Sequence, residues 1–126
     1  MRGILALIMT LIPLSLAPGC DDTDERAAME MTGGGDPRRG RRAVASYGCS
    51  SCHTIPGVRG ADGLVGPPLA GMGSRAYVAG VMKNTPPNLV RWIQDPPGVD
   101  PMTAMPKLGV SEADARDIAS FLYTLR

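Results

Sequence analysis

The sequence predicts an all-α domain of three main helices, on three observations. From Glu112 onward, Ala115, Ile118, Leu122 and Leu125 recur at helical spacing with Phe121 beside them. Pro86 and Pro87 stand where prolines open a helix, ahead of Leu89, Trp92 and Ile93, and Pro96 stands where one ends. No segment alternates apolar and polar residues convincingly with the period of two that a half-buried strand needs.

The first twenty residues do not belong to that domain. Arg2 precedes an apolar run of 13 residues, Ile4 to Leu16, interrupted by Pro13. A membrane-spanning helix needs about 20 apolar residues, whereas the core of an export signal needs about 7–15. Residues 1–19 therefore read as a signal peptide, with a short uncleaved anchor as the alternative. No later segment is apolar enough to span a bilayer. Export places the chain outside the reducing cytosol, on the periplasmic side of a bacterial membrane, where a lone thiol at Cys20 needs an explanation. "LAPGC" resembles the lipobox of bacterial lipoproteins, which implies acylation of Cys20 and membrane attachment through lipid.

Residues 20–37 read as that lipidated cysteine followed by a flexible acidic tether. "DDTDERAAMEMTGGGDP" carries three consecutive glycines, many charges and no large apolar pattern. As a coil its 17 residues would average about 22 Å end to end, and about 60 Å fully extended.

Residues 38–126 form the domain. From residue 37 onward the chain has 11 Lys and Arg against 6 Asp and Glu, so a near-neutral whole chain hides a basic domain on an acidic leash. Export argues against nucleic acid as the partner, and "RRGRR" reads as a solvated helix face or a docking patch. A core this small often needs a staple such as a metal or disulfide.

That staple is legible at "YGCSSCHTIPG". A structural zinc site needs four ligands, commonly two such cysteine pairs, and there is no second pair. A redox dithiol sits in a βαβ setting that is missing here. A plain disulfide leaves His53 unexplained. C-x-x-C-H is the attachment signal for c-type haem. Cys49 and Cys52 lie three apart on a helical turn and can form thioethers with two vinyl groups, and His53 follows beneath the iron. One motif implies one haem.

His53 is the single histidine, so bis-histidine ligation within the chain is excluded. Methionine, lysine or an open position remain. A methionine is more often a core filler than a ligand. Among Met72, Met82, Met102 and Met105, the last has the best setting, in "DPMTAMPKLG", where Pro101, Pro106 and Gly109 favour an irregular loop. Met102 is its main rival. Ser111 followed by Asp114 then gives a capping-box start to the last helix.

Over residues 38 to 126 these pieces, in this order, resemble class I cytochromes c. "GCSSCH" is similar to the haem attachment site, "GPPL" to the turn beside the proximal histidine and "NLVRWIQDP" to the middle helix. "TAMP" is similar to the methionine loop and "SEADARDIASFLYTL" to the C-terminal helix. The resemblance implies a cytochrome c fold wrapped around one covalently attached haem c. It implies iron ligation by His53 and Met105. It further implies that the Pro67 carbonyl accepts a hydrogen bond from His53 Nδ1, that Leu69 packs on the haem face, and that Trp92 lies on the methionine side. Thr103 would lie near a propionate, with Arg75 and Tyr77 as further propionate partners. Gly40 and Val44 would face the last helix near Ile118 and Phe121. Two departures stand out: Met102 where the family often has Gly, and Val44 where a larger aromatic is common.

The function so implied is electron transfer, without an enzyme reaction of its own. A tethered, monomeric domain would pass electrons between respiratory redox proteins, and its basic excess would steer it to acidic partners. The alternative is a subunit stably bound in a terminal oxidase or a quinol-oxidising complex. An open-iron enzyme or gas sensor is a third reading.

Overall fold

The computed structural model describes residues 20–126. The signal peptide expected over 1–19 lies outside the described residues. Five helices follow in order: α1 (Cys20–Met31), α2 (Pro37–Ser46), α3 (Pro86–Gln94), α4 (Pro96–Val99) and α5 (Glu112–Thr124). A two-stranded antiparallel ribbon, β1 (Tyr77–Val78) and β2 (Met82–Lys83), lies before α3. None of the described helices is long and apolar enough to cross a membrane. The predicted all-α class holds, with the three main helices at α2, α3 and α5.

Helix α5 is the spine against which α1, α2 and α3 all pack. Its start is capped by the expected pair, Ser111 and Asp114, though the Asp114 carboxylate takes the Ser111 hydroxyl rather than the backbone amide of a full capping box. Ser111 Oγ accepts from the Asp114 amide at 3.1 Å and donates to Asp114 Oδ2 at 2.8 Å. Its buried face presents Ala115, Ile118, Ala119, Phe121 and Leu122 to the core. Helix α2 opens on Pro37 with Asp36 as its cap, the carboxylate accepting from the amides of Arg38 and Arg39.

The crossing of α2 on α5 depends on Gly40. A Cβ there would fall 2.0 Å from the Asp117 carbonyl oxygen, so only a residue without one allows this approach. Val44, 1% exposed, packs in the same core. Beside Gly40, the buried Asp117 carboxylate ties the two helices together. It accepts from the Asp36 amide at 2.7 Å and from Arg39 Nε and Nη2 at 2.7 and 3.1 Å. Burial alone would push the Asp117 carboxyl up. The hydrogen bonds from Arg39 and the Asp36 amide outweigh it and hold the group below the usual carboxylate range.

Residues 20–31 do not form the flexible coil expected of them. The run of glycines, read as a linker signal, is a helix stop. Gly34 N–H bonds to the Met29 carbonyl at 2.8 Å and Gly33 N–H to that of Glu30 at 3.2 Å, with Gly33 at φ +67°. This is a Schellman C-cap, which favours glycine because a side chain strains that backbone. The acidic residues lie mostly in the first turns of α1, where negative charge suits the helix dipole.

Candidate functional site

The segment Cys49–His53 folds as one tight turn. Residues Cys49–Ser51 form a 3-10 turn, and the amides of Cys52 and His53 both donate to the Cys49 carbonyl, at 3.2 and 3.0 Å. This turn brings both half-buried cysteines and the imidazole to one cavity of about 410 Å³. The two thiols are not disulfide-linked. Burial pushes the Cys49 thiol up.

The His53 ring is held from two directions. Nδ1 lies 2.7 Å from the Pro67 carbonyl oxygen, so the ring donates there in the tautomer protonated at Nδ1. Nε2 is then left as the lone-pair nitrogen. Behind the ring sits Gly66, where a Cβ would fall 2.3 Å from Cε1. Gly66 is itself anchored, its amide donating to the Cys52 carbonyl at 2.7 Å.

Helices and loops contribute different chemistry to the cavity. Leu89, Trp92 and Ile93 of α3 and Ile118 and Leu122 of α5 form its apolar walls. The loop from Asp100 to Pro106 brings in Thr103, Ala104 and Met105. That loop is shaped by its own hydrogen bonds: the Met102 amide to Asp100 Oδ1 at 3.0 Å, the Thr103 amide to the Asp100 carbonyl at 3.0 Å, and the Met105 amide to Thr103 Oγ1 at 3.1 Å. Lys107 pairs with Asp95 at 3.4 Å just past it. Met105 packs against the core and lines the cavity, whereas Met102 is 89% exposed.

Of the residues singled out from sequence, Cys49, Cys52, His53, Pro67, Leu69, Arg75, Trp92, Thr103 and Met105 all line this cavity. Tyr77 does not join them. Neighbouring residues of a strand point to opposite faces, and on β1 it is Val78 that turns inward, 1% exposed, leaving Tyr77 56% exposed. Its expected place at a propionate gains nothing from this position. The Arg75 guanidinium reaches the cavity but is also spent on the Pro68 and Ala70 carbonyls. Sequence reasoning did not single out Val78 and Asp100 as lining residues, and weighed Met72 only among the candidate ligands. Asp100 carried a readable signal, since it opens the turn that carries the methionine loop.

Two thiols, an imidazole and a thioether on the walls of one mainly apolar cavity define a helical domain built to hold a covalently attached haem. Residues 37–126 match the Cytochrome c family model, and the chain belongs to that family. It is an electron-transfer cytochrome domain, and membership implies haem c. The residues present fit that group: the thiols, His53 and the apolar walls converge as its attachment requires.

Among curated proteins, the chain is 30% identical over 89 residues to cytochrome c oxidase subunit 2 of Alkalihalophilus pseudofirmus, covering 70% of this chain and 25% of that one. It is 33% identical over 84 residues to cytochrome c oxidase subunit 2 of Bacillus subtilis, covering 62% and 24%. The chain thus spans about a quarter of the length of these relatives. No solved structure matches it significantly.

Proposed function

We propose that this cytochrome is an exported, membrane-tethered electron carrier. Its haem c would be held through Cys49 and Cys52, with His53 and Met105 as the two iron ligands. The observation that carries this reading is that His53 and Met105 line one cavity while the rival Met102 points to solvent. Bound there, haem supplies an iron that cycles between Fe(II) and Fe(III), and methionine ligation raises its reduction potential relative to histidine.

The chain's own residues do the rest. Pro67 and Gly66 fix the imidazole plane, and the hydrogen bond to Nδ1 increases the basicity of Nε2. Trp92, Leu89, Ile93 and Leu69 exclude water. Thr103 and Arg75 supply polar groups at the wall, where carboxylates of the bound group would find donors. A site held this way changes little between oxidation states, which favours transfer over bond-making chemistry.

Acylation of Cys20 would hold the domain at the periplasmic side of a membrane, next to respiratory partners. The matched relatives are named as cytochrome c oxidase subunits, which supports a terminal oxidase as the redox partner. That similarity also favours a second reading, a subunit stably bound in such an oxidase.

Optical and magnetic spectroscopy of the purified protein tests the ligand set. Met105→Ala should abolish the thioether–iron signatures and Met102→Ala should leave them; the reverse result rejects the assignment. Mass spectrometry of the mature N-terminus tests Cys20, an unmodified thiol refuting the lipid anchor. Copurification with an oxidase through detergent and salt separates the subunit from the free carrier.

A further inference from the structure

Helix α1 leaves a question that electron transfer does not answer: why a helix with five acidic residues and one basic residue lies folded on a basic domain. Its seat combines packing of Ala28 in the core, against α5, with three ion pairs. Arg38 of α2 pairs with Glu25 at 2.9 Å and Asp22 at 3.5 Å, and Arg126 pairs with Asp24 at 3.6 Å. Ala28 is the one buried residue among the described side chains of α1, while Met29 and Met31 are exposed. Exposed ion pairs are individually weak and are screened by salt.

The link beyond α1 separates a pivot from an anchor. A Cβ added at Gly33 or Gly34 would meet nothing within 4 Å, and both residues have positive φ. One residue further the chain is fixed. A Cβ at Gly35 would fall 2.4 Å from the Arg116 carbonyl, and the Asp36 amide is bound by Asp117. Motion of α1 would therefore turn about Gly33–Gly34 and leave α2, α5 and the cavity as they are.

We propose that the face carrying Arg38 and Arg126 is a docking surface for an acidic protein segment, and that α1 occupies it in cis as a releasable latch hinged at Gly33–Gly34. The seated helix shows which chemistry the face accepts: helix carboxylates meeting two arginines, Asp22 and Glu25 at Arg38 and Asp24 at Arg126. An acidic partner competes for the same guanidinium groups, and its docking frees the N-terminal segment to swing. This inference does not depend on the iron ligands.

The test uses the full-length haem-loaded protein and a triple variant, Asp22→Asn, Asp24→Asn and Glu25→Gln. Hydrogen exchange of α1 amides should quicken about tenfold in the variant, and likewise in the parent on raising NaCl from about 0.02 to about 0.5 M, with α5 protection unchanged. At low salt a labelled poly-glutamate peptide should bind the variant about tenfold more tightly than the parent. Adding Arg38→Gln and Arg126→Gln should remove that gain. The proposal is overturned by α1 exchange indifferent to salt and substitution, by equal peptide affinity for parent and variant, or by a gain that survives loss of the two arginines.

Discussion

Replacing Gly66 with alanine puts the histidine support under direct load. The new Cβ would fall 2.3 Å from His53 Cε1, 2.7 Å from Nδ1 and 2.9 Å from Nε2. Carbon atoms in contact sit about 3.5–4.0 Å apart, so ring or backbone must retreat by about 1 Å. Neither is free to do so. The ring is bonded to the Pro67 carbonyl at 2.7 Å, and residue 66 is bonded to the Cys52 carbonyl at 2.7 Å. A retreat of that size takes the Nδ1 contact out of hydrogen-bond range. Overpacking costs about 1–3 kcal/mol, and a lost hydrogen bond adds about 1 kcal/mol. Gly66→Ala should therefore destabilise the haem-loaded protein by about 2–4 kcal/mol. Guanidinium unfolding reads this as a lower midpoint at unchanged slope. Trp92, the one tryptophan, lines the cavity and serves as the fluorescent reporter. A structural loss elsewhere would move stability alone. Loosening the imidazole also makes it a weaker donor, so under the proposed ligation the reduction potential should rise. An unchanged midpoint and potential would refute the reasoning.

Gly40→Ala should cost up to about 3 kcal/mol in thermal or denaturant unfolding, although the same change in an isolated helix would stabilise it by about 1 kcal/mol. The sign reverses because its Cβ meets the Asp117 carbonyl. Asp117→Asn should lose about 1–3 kcal/mol at neutral pH, as charged hydrogen bonds to Arg39 and the Asp36 amide weaken. The carboxyl is held below its ordinary value, so its stabilising contribution is complete above the unfolded pKa of about 3.9 and is lost as pH falls through the folded value. Denaturant curves of the two proteins should therefore begin to converge as pH falls below about 4 and meet only below the folded value. Tyr123, buried and donating to Asn84 Oδ1 at 2.9 Å, has its phenol pushed up to about 12 by burial. Its contribution is complete below the unfolded value of about 10 and lost as pH rises through about 12. An alkaline titration should show a late phenol that Tyr123→Phe removes.

What the sequence disclosed was mostly local. The attachment turn was legible because Cys49, Cys52 and His53 lie within five positions and their chemistry needs no tertiary context. The prolines that open α3 and the serine before α5 marked real helix starts, because the signals of a helix start act over three or four residues. Met105 was favoured over Met102 by its loop setting and the family likeness, and the fold separates the two by burial. The misses were non-local. Glycines after an acidic run can end a helix or make a linker, and only the seat on α2 and α5 decides between them for α1. Strands of two residues, as in β1 and β2, are too short to show a period, so nothing in the sequence told which way Tyr77 would face. Pro96 did end α3, but it also opens the short helix α4, since a proline serves equally at a first helical position.

The position of α5 in the chain also sets an order of assembly. Ile118 and Leu122, which close one wall of the cavity, belong to the last helix of the domain in chain order. The partner groups of Asp36 and Asp117 are separated by 81 positions, so the domain cannot close until its C-terminus has arrived. Until then the Cys49–His53 turn lacks that wall of its cavity. A chain cut at Ser111 is expected to accept covalent haem yet fail to bury it. The helix that completes the pocket is thus also the one that ends the time available for filling it.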